Sequence, residues 1–259
     1  MPLLESGIVA LNHETDLEMA KAAMPANISM LESMAVLDPD NLQLRTMGAQ
    51  AYYAYSYSFI EDADRQRASS LYLKGLVHGE KGLINSGFTM SLRKMPYDDV
   101  VKLTEKLDKD SVPLMFWTAS CMAKWIDMNR DKPAIVAQAA KTAVLIDRVL
   151  QLDETYYYGS AHLFFGAYYG SRPAMMGGNL KKSQFHFDRA RAINAAQLLI
   201  TDVLQAQYLE RQRMNQAAFH TMLSRVLSIK DALPPEFALM NAVAQKKASL
   251  FLAKEHEWF

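Results

Sequence analysis

The sequence offers few side chains whose type and spacing suit catalysis or metal binding. Its six histidines are dispersed along the chain, at His13, His78, His162, His186, His220 and His256. No two are three or four residues apart, so no helical face presents a histidine pair as metal ligands. His162 and His186 fall in one predicted helix pair, where we expect hydrogen-bonded histidines that meet rather than ligands.

Patterns of known catalytic sites are also missing from the sequence. There is no phosphate-binding G-x-x-x-x-G-K-[ST] loop, no G-x-G-x-x-G, no H-E-x-x-H and no G-x-S-x-G. The acidic group Glu61, Asp62 and Asp64 lies at a helix start, where the helix dipole favours acids. Cys121 is the one cysteine and lies in an apolar stretch, which indicates a buried inert thiol. The sequence therefore predicts a protein that is not an enzyme and has no metal or cofactor.

Composition favours a packed globule of neutral charge. Half of the 259 residues are hydrophobic, and 28 basic residues offset 28 acidic ones, so we do not expect nucleic acid as a partner. No window approaches the ~18 apolar residues of a membrane span, and the apolar run at 7–11 is shorter than a secretory core. We expect a single domain over 1–259 whose residues 1–12 are extended or frayed. Either the chain is cytoplasmic or a signal has been removed.

Helical periodicity covers nearly the whole chain and includes two recognisable helix pairs. The first pair has large and small residues at Tyr52, Tyr55, Phe59, Tyr72 and Gly75, at the spacing of a tetratricopeptide unit. The second covers 162–195, with the loop 171–179 as an insertion. The sequence predicts an all-α array of antiparallel helix pairs with cryptic tetratricopeptide-like repeats. Stacked pairs of this kind build a curved surface, and such surfaces usually bind something.

Two clusters of aromatic residues lie within these pairs. Consecutive aromatic residues on a helix point in different directions, so they cannot all face one core. Either they are buried on two sides of a stacked array, or some line an apolar cavity or an interface. The predicted lining residues are Tyr52, Tyr55, Phe59, Tyr72, Trp117, Tyr157, Phe165 and Tyr169. A further prediction places Met175, Met176, Gly177 and Gly178 in a loop near a ligand or an interface.

Several motifs, in order and spacing, resemble one family over about 16–259. They are 51–55 (AYYAY), 59–61 (FIE), 71–75 (LYLKG), 114–117 (LMFW), 152–159 (LDETYYYG), 172–179 (RPAMMGGN) and 241–248 (NAVAQKKA). Together they resemble the T component (TatT) of TRAP transporters that use a tetratricopeptide-associated solute-binding protein. Asn179 stands where the family more often has an acidic residue, but asparagine can still cap the helix that follows.

The resemblance implies a non-catalytic, periplasmic accessory subunit of a solute uptake system. It implies an all-α lipoprotein anchored through a lipidated cysteine, a homotrimer with an apolar pore in each protomer, and association with the solute-binding P component. A small hydrophobic ligand is the expected cargo. Because no cysteine lies near residue 1, we expect the signal and lipobox to precede this sequence.

The helix pairs alone leave a second hypothesis open. A cytoplasmic tetratricopeptide scaffold would recognise peptide tails of a partner protein. Such scaffolds concentrate basic residues in a concave clamp, whereas Arg and Lys are scattered along this sequence.

Overall fold

The computed structural model describes residues 2–230 and 233–259, with side chains from residue 6 onwards. The described residues form helices and turns without a strand, which confirms the predicted all-α fold. The chain packs as two compact units. We call residues 21–156 the N-terminal unit, and residues 157–259 together with 1–20 the C-terminal unit. The single domain predicted over 1–259 stays a prediction.

The α-helices follow one another along the whole described chain. In order they are α1 (Pro2–Asn12), α2 (Leu17–Leu37), α3 (Leu42–Tyr55), α4 (Arg65–Asn85), α5 (Tyr97–Thr104), α6 (Val112–Met128), α7 (Pro133–Val136), α8 (Ala139–Asp153), α9 (Tyr156–Gly170), α10 (Leu180–Ile193), α11 (Ile200–Gln205), α12 (Gln216–Ser228), α13 (Ala238–Ala253) and α14 (Glu255–Trp258). Two π-helical turns, Ser56–Ile60 and Ala206–Glu210, extend α3 and α11.

Side-chain caps fix where the major helices begin. Asn41, Asp64, Asn179 and Asn215 each accept a hydrogen bond from the backbone N–H three residues later, at the starts of α3, α4, α10 and α12. Each cap satisfies an N–H that the helix itself leaves unpaired and is worth about 1 kcal/mol. The cap that sequence reasoning allowed at Asn179 is therefore present.

In the N-terminal unit, α3 packs on α4, α4 on α6, and α6 on α8. Small residues let α4 and α6 approach closely. A β-carbon at Gly75 would lie 2.7 Å from the Cys121 sulfur, and one at Gly82 would lie 2.6 Å from a Leu114 methyl group. These two contacts run in opposite directions along the chain, so α4 and α6 are antiparallel.

In the C-terminal unit, α9 and α10 form the second predicted helix pair. Gly166 contacts the Phe187 ring and Gly170 contacts Ser183, so these helices are also antiparallel and close. The remaining core lies where α11, α12 and α13 pack together. The helix pairs are therefore where the sequence placed them, whereas their tetratricopeptide-like character stays a prediction.

One expectation about the fold is wrong. Residues 1–12 were expected to be extended or frayed, but Pro2–Asn12 form helix α1, which packs on α13. Ile8 and Leu11 are half-buried and lie three residues apart, on one helical face. Two residues of the short apolar run, Ile8 and Leu11, therefore lie on the less exposed face of α1.

Candidate functional site

The first candidate region is built on the π-helical turn that ends α3. The turn closes with the Glu61 N–H donating to the Ser56 carbonyl at 2.9 Å. A π turn holds one more residue than an α turn, so the residues after it change helical face, and such turns recur at functional sites. Here the turn brings Glu61 to the end of a face rich in tyrosine.

The rings of α3 and its π turn divide between two faces. Tyr52, Tyr55 and Phe59 are buried. Tyr53 and Tyr57 are half-buried and stack on each other, with ring centroids 5.8 Å apart and planes 5° from parallel. The rings of this cluster therefore do not all face one core, and whether the second face lines a cavity or an interface stays a prediction.

Trp117 of α6 is buried and packs against the rings of that second face. Its ring centroid lies 5.5 Å from that of Tyr53, and Tyr72 of α4 lies 5.8 Å from Tyr53 on another side. We call Tyr53, Tyr57 and Trp117 the ring surface. Offset and tilted rings at these spacings attract one another and hold a rigid apolar face.

A buried ion pair borders the ring surface. The Lys124 ammonium lies 2.7 Å from the Glu61 carboxylate, and their side chains are 13% and 7% exposed. The same ammonium lies 5.1 Å from the centroid of the Tyr57 ring. Taking both charges out of water is costly, so the contacts that compensate them are essential to stability.

Tyr72 also compensates the charge of this pair. Its hydroxyl donates to a Glu61 carboxylate oxygen at 2.6 Å. Burial raises the pKa of Tyr72 well above its ordinary value, and the Glu61 charge adds to the shift. The phenol therefore stays protonated at neutral pH and remains a donor.

The predicted lining residues occupy two kinds of position. Six are buried: Tyr52, Tyr55, Phe59, Tyr72, Trp117 and Phe165. Tyr157 and Tyr169 are half-buried. The lining role of all eight stays a prediction.

Sequence reasoning missed Tyr53, Tyr57 and Lys124. The signal available for the two tyrosines was their spacing of four residues, which places them on one helical face. No local signal marks Lys124, because its partner Glu61 lies far away in the sequence.

The C-terminal unit brings His162 and His186 together, as expected. Their Nδ1 atoms are 2.9 Å apart, so one ring donates and the other accepts. The rings of Phe165, Tyr169 and Phe185 lie around the pair. Burial lowers the pKa of His186 to about 4, and the nearby His162 and Lys182 add to the shift. Over the described residues, no three His, Cys, Asp or Glu side chains are grouped to hold a metal ion.

The predicted methionine loop is a tight turn whose two methionine side chains face solvent. Gly177 has φ +86°, which favours glycine, and a β-carbon at Gly178 would collide with the Arg172 carbonyl. The Gly178 N–H donates to the Pro173 carbonyl at 3.1 Å. Met175 is 91% exposed and Met176 is also exposed. The two glycines therefore have a structural role that presents the two methionines.

The second π-helical turn, Ala206–Glu210, ends beside this loop. Glu210 is 1% exposed and accepts hydrogen bonds from Gln205 at 3.1 Å, Arg213 at 3.2 Å and Asn215 at 3.4 Å. Between the last two lies Met214, with φ +56° and 65% of its surface exposed. A left-handed conformation at a bulky residue costs about 1–2 kcal/mol.

An open cleft of about 390 Å³ lies beside the loop. It is lined by Arg172, Ala174, Gly178, Asn179, Leu180, Lys181 and Gln212. Met175 and Met176 lie between lining residues in sequence, and Met214 follows Gln212 by two residues. We call this cleft with Met175, Met176 and Met214 the methionine cleft.

Comparison with known proteins identifies the family. No curated protein matches the chain. A family model described as TRAP transporter T-component matches residues 13–259, nearly the whole chain. The chain therefore belongs to the TRAP transporter T-component family. This membership gives it an accessory role in TRAP transport.

A separate observation concerns the membrane. Among the helices of the described residues, none combines the length and the apolar character needed to cross a bilayer.

Proposed function

We propose that the protein is a non-catalytic, periplasmic accessory subunit of a TRAP uptake system. It associates with the solute-binding P component and holds a small hydrophobic ligand. A lipid anchor and a homotrimeric state, which the family resemblance implies, belong to the same proposal. The observation that carries it is the family match over residues 13–259.

The ring surface supports the ligand part of the proposal. Tyr53 and Tyr57 are half-buried, so their stacked rings retain apolar area that a ligand can cover. Lys124 and Glu61 provide a polar edge beside that area. The best-fitting ligand is an amphiphile whose apolar body lies on the rings and whose polar group meets this edge. Tyr157 and Tyr169, which are half-buried in the C-terminal unit, stay candidates for a separate ligand contact within that unit.

Copurification tests the docking part of the proposal. The full-length lipidated chain and its P component, both folded, are mixed at micromolar concentration and separated by size. A joint peak with fixed stoichiometry is expected. Two separate peaks under these conditions contradict the proposed function.

A fluorescent probe tests the ligand part. Anilinonaphthalene sulfonate has an apolar ring system and one anionic group, so it matches the ring surface and its polar edge. Tyr57→Ala is expected to weaken probe binding about fivefold, since one aromatic contact is worth about 1 kcal/mol. Tyr97→Ala is the matched control, because Tyr97 is exposed on α5 of the same unit. Equal losses in both variants contradict a ring-surface site.

A further inference from the structure

The methionine cleft lies in a positively charged region, although the chain as a whole has no net charge. The two segments that border it, 171–184 and 211–216, contain five basic residues and no Asp or Glu. These residues are Arg172, Lys181, Lys182, Arg211 and Arg213. The whole chain is balanced at 28 basic and 28 acidic residues, so this region is a local concentration of positive charge.

The acids closest to these segments are already paired. Glu210 is buried and accepts from Arg213, and Asp188 of α10 lies 3.1 Å from Arg191. Neither carboxylate is among the residues that line the cleft. The lining has two cations, Arg172 and Lys181, and no acid, whereas the charge of Arg213 is offset by Glu210.

Two of the cations are held in place before any partner binds. The Arg172 guanidinium lies 3.5 Å from the centroid of the Tyr168 ring and donates to the Tyr168 carbonyl at 3.2 Å. Arg213 donates to Gln184 at 2.8 Å in addition to Glu210. Prior ordering of this kind lowers the entropy lost on binding. Lys181 lines the cleft and is exposed, which leaves it accessible to a partner.

Exposed apolar side chains lie in the same two segments as these cations. Met175, Met176, Leu180 and Met214 are all exposed. Methionine is flexible and polarisable, so it adapts to the shape of a partner surface. Met214 also holds a left-handed backbone conformation that glycine or asparagine would adopt at lower cost, and such strain is typical of binding sites.

We propose that the methionine cleft is the docking site for a protruding segment of the P component that has carboxylates beside apolar side chains. This inference rests on the proposed function and names the surface that performs it. Complementary charge is the argument for the acidic residues, and the exposed methionines are the argument for the apolar ones. The concave shape favours a protruding protein segment, because a flat anionic membrane cannot fill a cleft of about 390 Å³.

Charge reversal tests the inference. Binding of the P component to the full-length chain is measured by calorimetry at about 50 mM and about 300 mM salt. Lys181→Glu is expected to weaken binding at least tenfold at low salt, and less at high salt because salt screens exposed charges. An acid in the first turn of α10 favours the helix, so the variant is expected to fold. Lys106→Glu is the control, since Lys106 is exposed in the N-terminal unit.

A second variant separates the apolar contribution. The double variant Met175→Ser/Met176→Ser is expected to weaken binding about tenfold at both salt concentrations, because apolar contacts are not screened. Both side chains are exposed in the free chain, so their replacement leaves the fold intact.

The outcomes distinguish the inference from the proposed function. If the wild-type chain binds the P component and neither Lys181→Glu nor the methionine double variant weakens that binding, the inference is wrong and the proposed function stands. No wild-type binding overturns both. If Lys181→Glu abolishes binding to phosphatidylglycerol vesicles but leaves binding of the P component unchanged, the inference is overturned in favour of a membrane surface.

Discussion

The two π-helical turns use the same backbone arrangement in different surroundings. Each follows the first helix of a hairpin and precedes a capped second helix, with Asp64 capping α4 and Asn215 capping α12. Each also places one glutamate away from water. Glu61 meets Lys124 and the Tyr72 hydroxyl among rings, whereas Glu210 meets only polar side chains from its own hairpin.

This difference shows how one local structure supports two kinds of surface. At Glu61 the charge is neutralised by a residue of a third helix, α6, and the turn borders an apolar ring surface. At Glu210 the charge is neutralised within 205–215, and the turn fixes Arg213 and Met214 beside a cationic cleft. A buried glutamate at the end of a π-helical turn therefore does not define a function. Its partners decide which surface forms.

The largest expected effect is from removing the cation at the first turn. Lys124→Met leaves the buried Glu61 carboxylate without its counter-charge and is expected to lower the free energy of unfolding by about 3 kcal/mol. Arg213→Met is expected to cost only about 1 kcal/mol, because Glu210 keeps Gln205 and Asn215 as donors. Urea unfolding of both variants measures the two losses.

A double variant controls for the loss of packing at Lys124. Glu61→Gln with Lys124→Met removes both charges and keeps an acceptor for Tyr72, so most of the stability is expected to return. Equal destabilisation by Lys124→Met and Arg213→Met would remove the contrast between the two turns.

A smaller, opposite effect is expected at the second turn. Met214→Asn relieves the left-handed strain and is expected to stabilise the chain by about 1 kcal/mol, which raises Tm by about 2–4 °C. The matched control is Met175→Asn, which has the same change of polarity at a residue without positive φ. A thermal melt in which both variants shift alike shows that backbone strain is not the cause.

The smallest expected effect is a pH dependence in the C-terminal unit. The pKa of His186 is lowered to about 4, below the ~6.5 of an unfolded chain, so the unfolded state binds more protons between these values. Its contribution to stability is therefore full above pH 6.5 and is lost as pH falls towards 4. Because His186 is partly exposed, the free energy of unfolding is expected to change by less than the ~1.4 kcal/mol per pH unit of a fully buried group.

Comparison of wild type with His186→Phe isolates this contribution. The free energy of unfolding of wild type is expected to fall more steeply than that of the variant between pH 6.5 and 4. Parallel pH profiles would show that His186 is not the responsible group.

Sequence patterns predicted the helix pairs but not the π-helical turns. Apolar spacing and small residues such as Gly75 indicated which helices pair closely. Helical periodicity continues to Phe59 in the sequence, whereas α3 ends at Tyr55 and a π turn follows. One extra residue in a turn leaves the local apolar spacing nearly unchanged, so periodicity does not reveal it. Its position depends on packing against other helices.

The candidate surfaces were predictable to different degrees. The methionine loop was identifiable because its two adjacent glycines mark a turn within a short segment. The ion pair of Glu61 and Lys124 was not, since its members are on different helices. The positive charge of the methionine cleft was also missed, because it is divided between segments 171–184 and 211–216 and local inspection finds no basic block.

Hydrogen exchange on the complex with the P component tests the central claim most directly. The account predicts that amides in 174–181 and 211–216 become more protected, while those in 53–61 exchange at the rate of the free chain. Protection at 53–61 with no change at either segment of the methionine cleft would contradict it.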